Sequence, residues 1–263
     1  MSLPRILLTV RDKSAFAMPR GGGGGGNAFA AIRALSMTNK TGSGKLDMAL
    51  LRELREASGA PIVDCKNALA AEGVNGDIRE AFQWLRKRGI AKASSMADRS
   101  ANEGLIGLRV EGSRGALVEV NSETDFVARN AKFQEFVEKV LGVAIDKAGE
   151  ADGASPAARD LDVSELLQAE QSGSGEILAD SLAHLVGAIR ENISISRAQV
   201  LSLSSGQGVV TGYVHGAIGS GMGKNAALVA LKFDAEAAAS DASIEALDTS
   251  AKSLAMHVVA ARP

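Results

Sequence analysis

The chain of 263 residues is 46% hydrophobic and 23% charged, has a formal net charge of −2 and contains one cysteine, Cys65. This composition is typical of a globular protein with a sizeable core, and a single cysteine excludes an intramolecular disulfide framework and a cysteine-rich zinc site. The near-neutral charge gives no argument for nucleic-acid binding, and no apolar run approaches the ~18 residues that span a bilayer. We therefore expect a soluble protein with no direct nucleic-acid or membrane partner.

Residues 1–45 differ from the rest of the chain, because they carry several Arg and Lys side chains but a single acidic residue, Asp12. Basic, acid-poor, Ser-containing N-termini are typical of organellar transit peptides, and the apolar stretch Ile6–Val10 is too short for a secretory signal. The glycine run Gly21–Gly26 indicates a flexible spacer. Arg33–Ser36 resembles a mitochondrial presequence cleavage site, which predicts a mature start near Ser36. A disordered cytosolic tail is the alternative.

Three short helices are predicted over residues 46–90. Each has a start signal and a glycine at its end, and its apolar residues share one face. The boundary pairs are Asp47 and Gly59, Pro61 and Gly73, and Asp77 and Gly89. A three-helix module of this size is more often a docking module than a catalyst.

A first core half is predicted over residues 104–150, after a linker or solvated helix at 91–103. Two β-like runs around the turn Glu111–Arg114 indicate a hairpin. A helix follows, with a core stripe at helical spacing, and residues 147–160 are predicted to be a loop. The stripe consists of Phe133, Phe136, Val137, Val140 and Ala144.

A second core half is predicted over residues 151–263. Helical patterning runs from Asp162 to Ile189, and a last helix is expected at Asp241–Ala261. Between them we expect three strands of one antiparallel sheet: Ile193–Leu203, Val209–Ala217 and Ala226–Phe233. Gly115–Val120 and Ala226–Leu231 resemble each other, which suggests two related halves, although any recurrence of strand-forming residues would look the same.

The predicted fold class is therefore α+β. It comprises an N-terminal three-helix module and a core of two related α/β halves, with small antiparallel sheets and flanking helices.

No group of residues supports catalysis, so we expect a protein that is not an enzyme and has no cofactor. The three histidines lack partners at metal-ligand spacing. Gly219–Asn225 resembles a phosphate loop but lacks the first glycine and the final Ser or Thr of that motif, and it joins two predicted strands. Cys65 is expected to be a small buried helical residue.

The most informative segment is Asn121–Asn130, hereafter the junction, which lies between a predicted strand and a predicted helix. Strand-to-helix junctions expose backbone donors and can aim side chains at a partner. Phe126 is spaced for one helical face with Asn130, Phe133 and Val137, so periodicity alone favours a core position. The alternative is that Phe126 is held out for insertion into a partner.

Several motifs that occur in order along Leu46–Pro263 resemble the elongation factor Ts family, the exchange factors of the GTPase elongation factor Tu. They are Leu51–Leu69, Trp84–Gly89, Ala101–Ile106, Thr124–Val127, Glu191–Ile193, Tyr213–Gly216 and Ala255–Val258. The resemblance implies that the N-terminal module is ubiquitin-associated-like (UBA-like). It also implies that the protein promotes GDP release from GDP-bound elongation factor Tu. With the N-terminal composition, it predicts organellar translation in the mitochondrial matrix rather than the plastid.

The family's roles are expected at seven residues of this chain. Asp125 and Phe126 would reach the GTPase near its nucleotide, with Phe126 as a wedge and Asp125 perturbing the Mg²⁺ site. Arg55, Ile62 and Val63 would dock the helical module, and the segment around Tyr213 and His215 would meet another GTPase domain. The second hypothesis is a non-enzymatic adaptor, whose three-helix module binds a partner helix or a ubiquitin-like domain.

Two departures from the family pattern stand out. Arg190 occupies a position where the family commonly has glycine. Longer members also continue past Pro263 with further helices and a closing strand, so the sequence predicts either a missing edge strand or a truncated gene model.

Overall fold

The computed structural model describes residues 6–12, 47–149, 157–171, 175–204, 206–232 and 241–261. The helices of this part are α1 (Met48–Ser58), α2 (Ile62–Leu69), α3 (Ile78–Met96), α4 (Ala131–Asp146), α5 (Val163–Leu167), α6 (Leu178–Ile189) and α7 (Asp241–Ala261). The strands are β1 (Ile6–Asp12), β2 (Glu103–Glu111), β3 (Arg114–Ser122), β4 (Ala157–Leu161), β5 (Ile193–Ser202), β6 (Gly208–His215), β7 (Met222–Gly223) and β8 (Asn225–Lys232). A 3-10 helix, Asp125–Arg129, lies between β3 and α4.

Two antiparallel sheets stacked face to face form the centre of the fold. One has the strand order β4-β5-β3-β2-β7 and the other β1-β8-β6. Alternate residues of β2 and β3 face opposite ways, so Ile106 and Leu117 pack against Leu228 of the second sheet. Leu105 and Val118 belong to the core that contains α4 and α6. Helix α7 covers the outer face of the second sheet, and this layering confirms the α+β class.

The three N-terminal helices begin as predicted, although two of their ends differ. Asp47 caps α1 by accepting a hydrogen bond from the Ala49 amide at 2.8 Å, and Gly59 ends the helix with φ +65°. Helix α2 stops at Leu69, before Gly73. Helix α3 continues past Gly89 to Met96, so the prediction that Gly89 ends it was wrong.

Gly89 has a packing role. A Cβ atom at this position would lie 2.7 Å from the carbonyl oxygen of Ala183, so only glycine allows α3 to lie this close to α6. The ion pair between Arg86 and Asp180 fixes the same crossing, with both nitrogen–oxygen distances at 2.7 Å. The three helices therefore contact the core along α6.

The hairpin and the α4 stripe are confirmed, but strand β5 is not where the sequence placed it. It pairs with β3 and β4 in the five-stranded sheet, whereas β6 and β8 pair in the other sheet. The prediction of one sheet from β5, β6 and β8 was therefore wrong. The five-stranded sheet contains strands from both predicted core halves. Strand β3 lies in the first half, residues 104–150, and its partner β5 lies in the second, residues 151–263.

Other corrections concern connecting segments. Residues 157–161 form β4 rather than part of a loop, while residues 150–156 lie outside the described residues. The helical pattern from Asp162 to Ile189 is divided into α5 and α6, and α7 has the predicted bounds.

The N-terminal strand β1 pairs with β8 from Ile6–Leu231 to Asp12–Asn225. Strand β8 thus lies between β6 and β1, and an N-terminal segment occupies the edge position that the sequence left unfilled. Most of the predicted transit peptide, residues 1–5 and 13–45, lies outside the described part of the chain, so that prediction stays untested. None of the described helices has the length and hydropathy needed to cross a membrane.

Candidate functional site

The junction turns the chain sharply between β3 and α4 and exposes one aromatic side chain. Phe126 is 81% exposed, whereas the next two residues, Val127 and Ala128, are buried. Asn130 caps α4 by accepting a hydrogen bond from the Lys132 amide at 2.9 Å, so the α-helix begins only at Ala131. Phe126 therefore precedes α4, and the core position that periodicity alone favoured for it was wrong.

Two carboxylates fix the backbone just before Asp125. Glu191, in the turn between α6 and β5, accepts hydrogen bonds from the Thr124 amide at 2.9 Å and from its hydroxyl at 2.7 Å. In return, Glu123 accepts a hydrogen bond from the Asn192 amide at 2.6 Å. Each segment thus supplies the acceptor for the other's backbone donor, and a charged acceptor makes such bonds shorter and stronger than neutral ones.

Further contacts secure both sides of this exchange. Arg99, beyond the end of α3, contacts Glu123 at 3.3 Å, and its carbonyl accepts a hydrogen bond from the Asn192 side chain at 2.7 Å. On the α4 side, the Gln134 amide group donates to the Ala128 carbonyl at 2.9 Å. The 3-10 helix is consequently held by the α6–β5 turn and by α4.

Two exposed apolar residues of the helical module lie next to each other at the start of α2. Ile62 is 47% exposed and Val63 is 59% exposed, while Cys65 one turn later is fully buried. Burial raises the pKa of the Cys65 thiol, partly offset by its hydrogen bond with Ser58, so Cys65 is a core residue rather than a reactive thiol. Arg55 is exposed in the last turn of α1.

The α6–β5 turn also reaches this patch. Arg190 adopts φ +66° at the end of α6, and its guanidinium lies 3.2 Å from the Asp64 carboxylate, next to Val63 in sequence. The structure therefore connects the Ile62–Val63 patch with the Asp125–Phe126 pair through three consecutive residues, Arg190–Asn192.

Tyr213 and His215 lie apart from these five residues, at the end of β6 in the three-stranded sheet. The Tyr213 hydroxyl lies 3.4 Å from His215 Nδ1, and Tyr213 packs partly against the layer that contains α7. The loop after His215 returns toward β2, where Lys224 Nζ contacts Glu103 at 2.8 Å. The segment Gly219–Asn225, which resembles a phosphate loop in sequence, is therefore a connection between strands.

An open cavity of about 510 Å³ is lined by residues of the helical module, of α4 and of α6. Glu176 lies on its wall, 3.3 Å from Lys139 Nζ and 3.5 Å from His184 Nδ1. Burial disfavours the Glu176 carboxylate, but its hydrogen bond with His184 and the Lys139 charge outweigh that cost and lower its pKa to about 2. His184 also packs edge-on against Phe82 of α3, with ring centroids 4.7 Å apart.

Across the described residues, no cluster of three or more His, Cys, Asp or Glu side chains could hold a metal.

Sequence reasoning missed the residues that hold the junction: Arg99, Glu123, Glu191 and Asn192. Glu123 belongs to the junction, and the other sequence signal was the Glu191–Ile193 motif, which carried the family resemblance but had no assigned role. Spacing along the chain could not have paired it with Thr124, because 67 residues separate the two partners.

The comparisons with known proteins agree with the resemblance. The family model described as Elongation factor TS matches residues 123–263, starting within the junction. Proteins named elongation factor Ts are 43% identical in Paramagnetospirillum magneticum, 42% in Gluconobacter oxydans and 44% in Sphingopyxis alaskensis, each over 219 residues. These alignments cover 83% of this chain but only 63%, 65% and 64% of the respective relatives. The chain thus spans slightly less than two thirds of their length. It belongs to the elongation factor Ts family.

Proposed function

We propose that this protein is a guanine-nucleotide exchange factor that binds GDP-bound elongation factor Tu and promotes GDP release during organellar translation elongation. The observation that carries the proposal is Phe126, a large aromatic side chain that is 81% exposed on a 3-10 helix held by its neighbours. Exposing this apolar surface to water is unfavourable, so its display suits insertion into a partner.

The proposed mechanism is binding without covalent chemistry or a cofactor. Phe126 acts as a wedge near the nucleotide, and the Asp125 carboxylate disturbs the Mg²⁺ that helps to hold GDP. Thermodynamic linkage applies to the two ligands of the GTPase. If the factor weakens the binding of GDP, GDP must weaken the binding of the factor by the same free energy. A coupling of ~4 kcal/mol corresponds to roughly a thousandfold change in affinity.

We assign docking to the remaining predicted residues. Arg55, Ile62 and Val63 contact the nucleotide-binding domain from a UBA-like module, residues 46–90. Tyr213 and His215 contact a second domain of the GTPase. The proposed division continues with a linker at 91–103 and two core halves at 104–150 and 151–263, the second incomplete at its C-terminus.

We place the protein in the mitochondrial matrix, with the plastid less favoured, on the basic and acid-poor composition of residues 1–45. The relatives reported above are bacterial, which is compatible with an organellar translation factor of bacterial descent. Cleavage near Ser36 would remove β1 from the edge of the second sheet.

A second candidate function is that of a non-enzymatic adaptor. The exposed pair Ile62 and Val63 could bind a partner helix or a ubiquitin-like domain through the three-helix module. This alternative gives no role to Phe126 or to the contacts that fix it.

Release of labelled GDP from organellar elongation factor Tu tests the proposal. We expect this protein to accelerate release by orders of magnitude at substoichiometric amounts, because an exchange factor turns over. If it binds elongation factor Tu without accelerating release, the exchange function is wrong. If it does not bind, the adaptor hypothesis becomes the better one.

A further inference from the structure

We infer that the α6–β5 turn, Arg190–Asn192, positions the wedge pair Asp125 and Phe126 relative to the docking patch Ile62–Val63. In this inference Glu191 is the principal positioning residue and Arg190 a weaker one. The inference rests on the proposed exchange function and adds to it which residues, themselves outside the contact surface, control the exchange rate.

Glu191 contacts Thr124 at two points. One oxygen accepts from the Thr124 amide at 2.9 Å and the other from the hydroxyl at 2.7 Å. A carboxylate bound through both oxygens fixes direction as well as distance. Since Thr124 is the residue immediately before Asp125, this contact sets where the 3-10 helix starts.

The contact between the turn and the junction is reciprocal. Glu123 accepts from the Asn192 amide at 2.6 Å, and the Asn192 side chain donates to the Arg99 carbonyl at 2.7 Å. Asn192 is only 8% exposed. The turn and the junction are therefore bound at two adjacent points, so neither segment can rotate about a single bond.

Arg190 connects the turn with the helical module. Arg190 leaves α6 at φ +66°, and its guanidinium contacts Asp64 at 3.2 Å. Asp64 follows Val63 in the first turn of α2. Two side-chain contacts and the peptide bonds between neighbours thus lead from Val63 to Phe126.

The two contacts differ in strength. The Arg190 side chain is 52% exposed, so water and salt screen its ion pair with Asp64. The Glu191 contacts are partly buried and are screened less. We therefore expect Glu191 to matter more for the position of the wedge than Arg190.

Positioning predicts a particular kinetic signature. Residues that only dock the protein change the concentration needed for half-maximal GDP release. Residues that position the wedge change the maximal release rate at saturating protein. The reason is that the wedge acts only while the nucleotide site is being distorted, after the two proteins have bound.

Glu191→Gln and Thr124→Val provide the test. Glu191→Gln removes the charge and one of the two acceptor oxygens, and Thr124→Val removes the hydroxyl donor but keeps the amide. We expect each to lower the maximal GDP-release rate about tenfold, with a less than threefold change in the half-saturating concentration. The double variant should lose little more than either single variant, because the two changes disrupt one contact.

Two comparisons separate positioning from a general loss of stability. Glu176→Gln also removes a hydrogen-bonded carboxylate, but one between α4 and α6, and should leave the maximal rate within twofold of the parent. In a Phe126→Ala background, Glu191→Gln should cause a smaller loss than in the parent, because only Asp125 of the wedge pair remains to be positioned.

The outcomes are distinguishable. If the parent does not accelerate GDP release, the proposed function fails. If the parent does but Glu191→Gln and Thr124→Val match it, the function stands and the positioning inference is overturned. The inference is also overturned if the effects of Glu191→Gln and Phe126→Ala multiply independently. Thermal unfolding of each variant establishes that it is folded at the assay temperature.

Discussion

Arg190 shows how a single residue can be unfavourable for its backbone and still have a use. A non-glycine residue at φ +66° costs ~1 kcal/mol relative to glycine. Its exposed ion pair with Asp64 contributes at most about 1 kcal/mol. The two effects nearly cancel, so the ion pair gives Arg190 little net advantage in stability over glycine at this position.

Replacing Arg190 by glycine and by alanine separates these two effects. Both substitutions remove the ion pair with Asp64, but only alanine keeps a Cβ atom in the left-handed conformation. We expect Arg190→Gly to be about 1 kcal/mol more stable than Arg190→Ala in urea denaturation. Equal stabilities would show that the backbone at this position is not strained.

Phe126 shows why helical spacing alone was misleading about one side chain of the junction. Spacing of four and seven residues places side chains on one face only when they belong to the same helix. The Asn130 side chain caps α4, so Phe126 falls in a separate 3-10 helix. The capping role of Asn130 fits its residue type, but helical spacing by itself does not show whether Asn130 starts α4 or continues an earlier helix.

At the level of elements, a partly buried charged group contacts both α4 and α6. Glu176 contacts Lys139 of α4 and His184 of α6, and these partners hold its pKa at about 2 in spite of burial. The ordinary pKa of a glutamate side chain is 4.5, so folding lowers this pKa. The contribution of Glu176 to stability is therefore complete above about pH 4.5 and is lost as the pH falls toward 2.

Glu176→Gln should reveal this dependence. At pH 7 we expect the variant to be about 2 kcal/mol less stable than the parent, a value reduced from the full pKa shift because Glu176 is partly solvated. The difference should shrink as the pH is lowered from 4.5 toward 2, as measured by urea denaturation at several pH values. Glu138→Gln, at an exposed position of α4, is the charge-matched control, and a constant difference for Glu176→Gln would contradict the account.

Elements defined by local signals were predicted well, whereas their partners were not. The caps Asp47 and Asp77 and the turn Glu111–Arg114 depend on neighbours in sequence, and the structure confirms them. The pairing of β5 with β3 instead of β6 depends on which apolar faces are buried together. Gly89 likewise resembled a helix end in the sequence. The need for glycine comes from the close approach of Ala183 in α6, which lies 94 residues further along the chain.

At the scale of the whole molecule, β1 joins the two ends of the described chain in one sheet. It pairs with β8 along seven residues, although it comes from the segment proposed to be a transit peptide. Residues 36–263 would retain the five-stranded sheet, the junction and the helical module, but would leave one edge of β8 unpaired.

Removal of residues 1–35 tests the role of β1. We expect the truncated protein to accelerate GDP release like the full chain at saturating concentration, because the junction lies outside the sheet that β1 joins. Amide hydrogen exchange should become faster at alternate residues of β8, Asn225–Lys232, where pairing with β1 is lost. Unchanged protection throughout β8 would show that β1 does not pair there in solution.

The central claim is that an exposed, rigidly held Phe126 causes nucleotide release. The most direct measurement is the rate of labelled GDP release from organellar elongation factor Tu at saturating concentrations of the parent, Phe126→Ala and Met256→Ala. Met256 is also a large exposed apolar residue, at 51%, but it lies on α7. The account predicts that Met256→Ala matches the parent and that folded Phe126→Ala loses at least about tenfold in rate. Equal rates for all three proteins would contradict it.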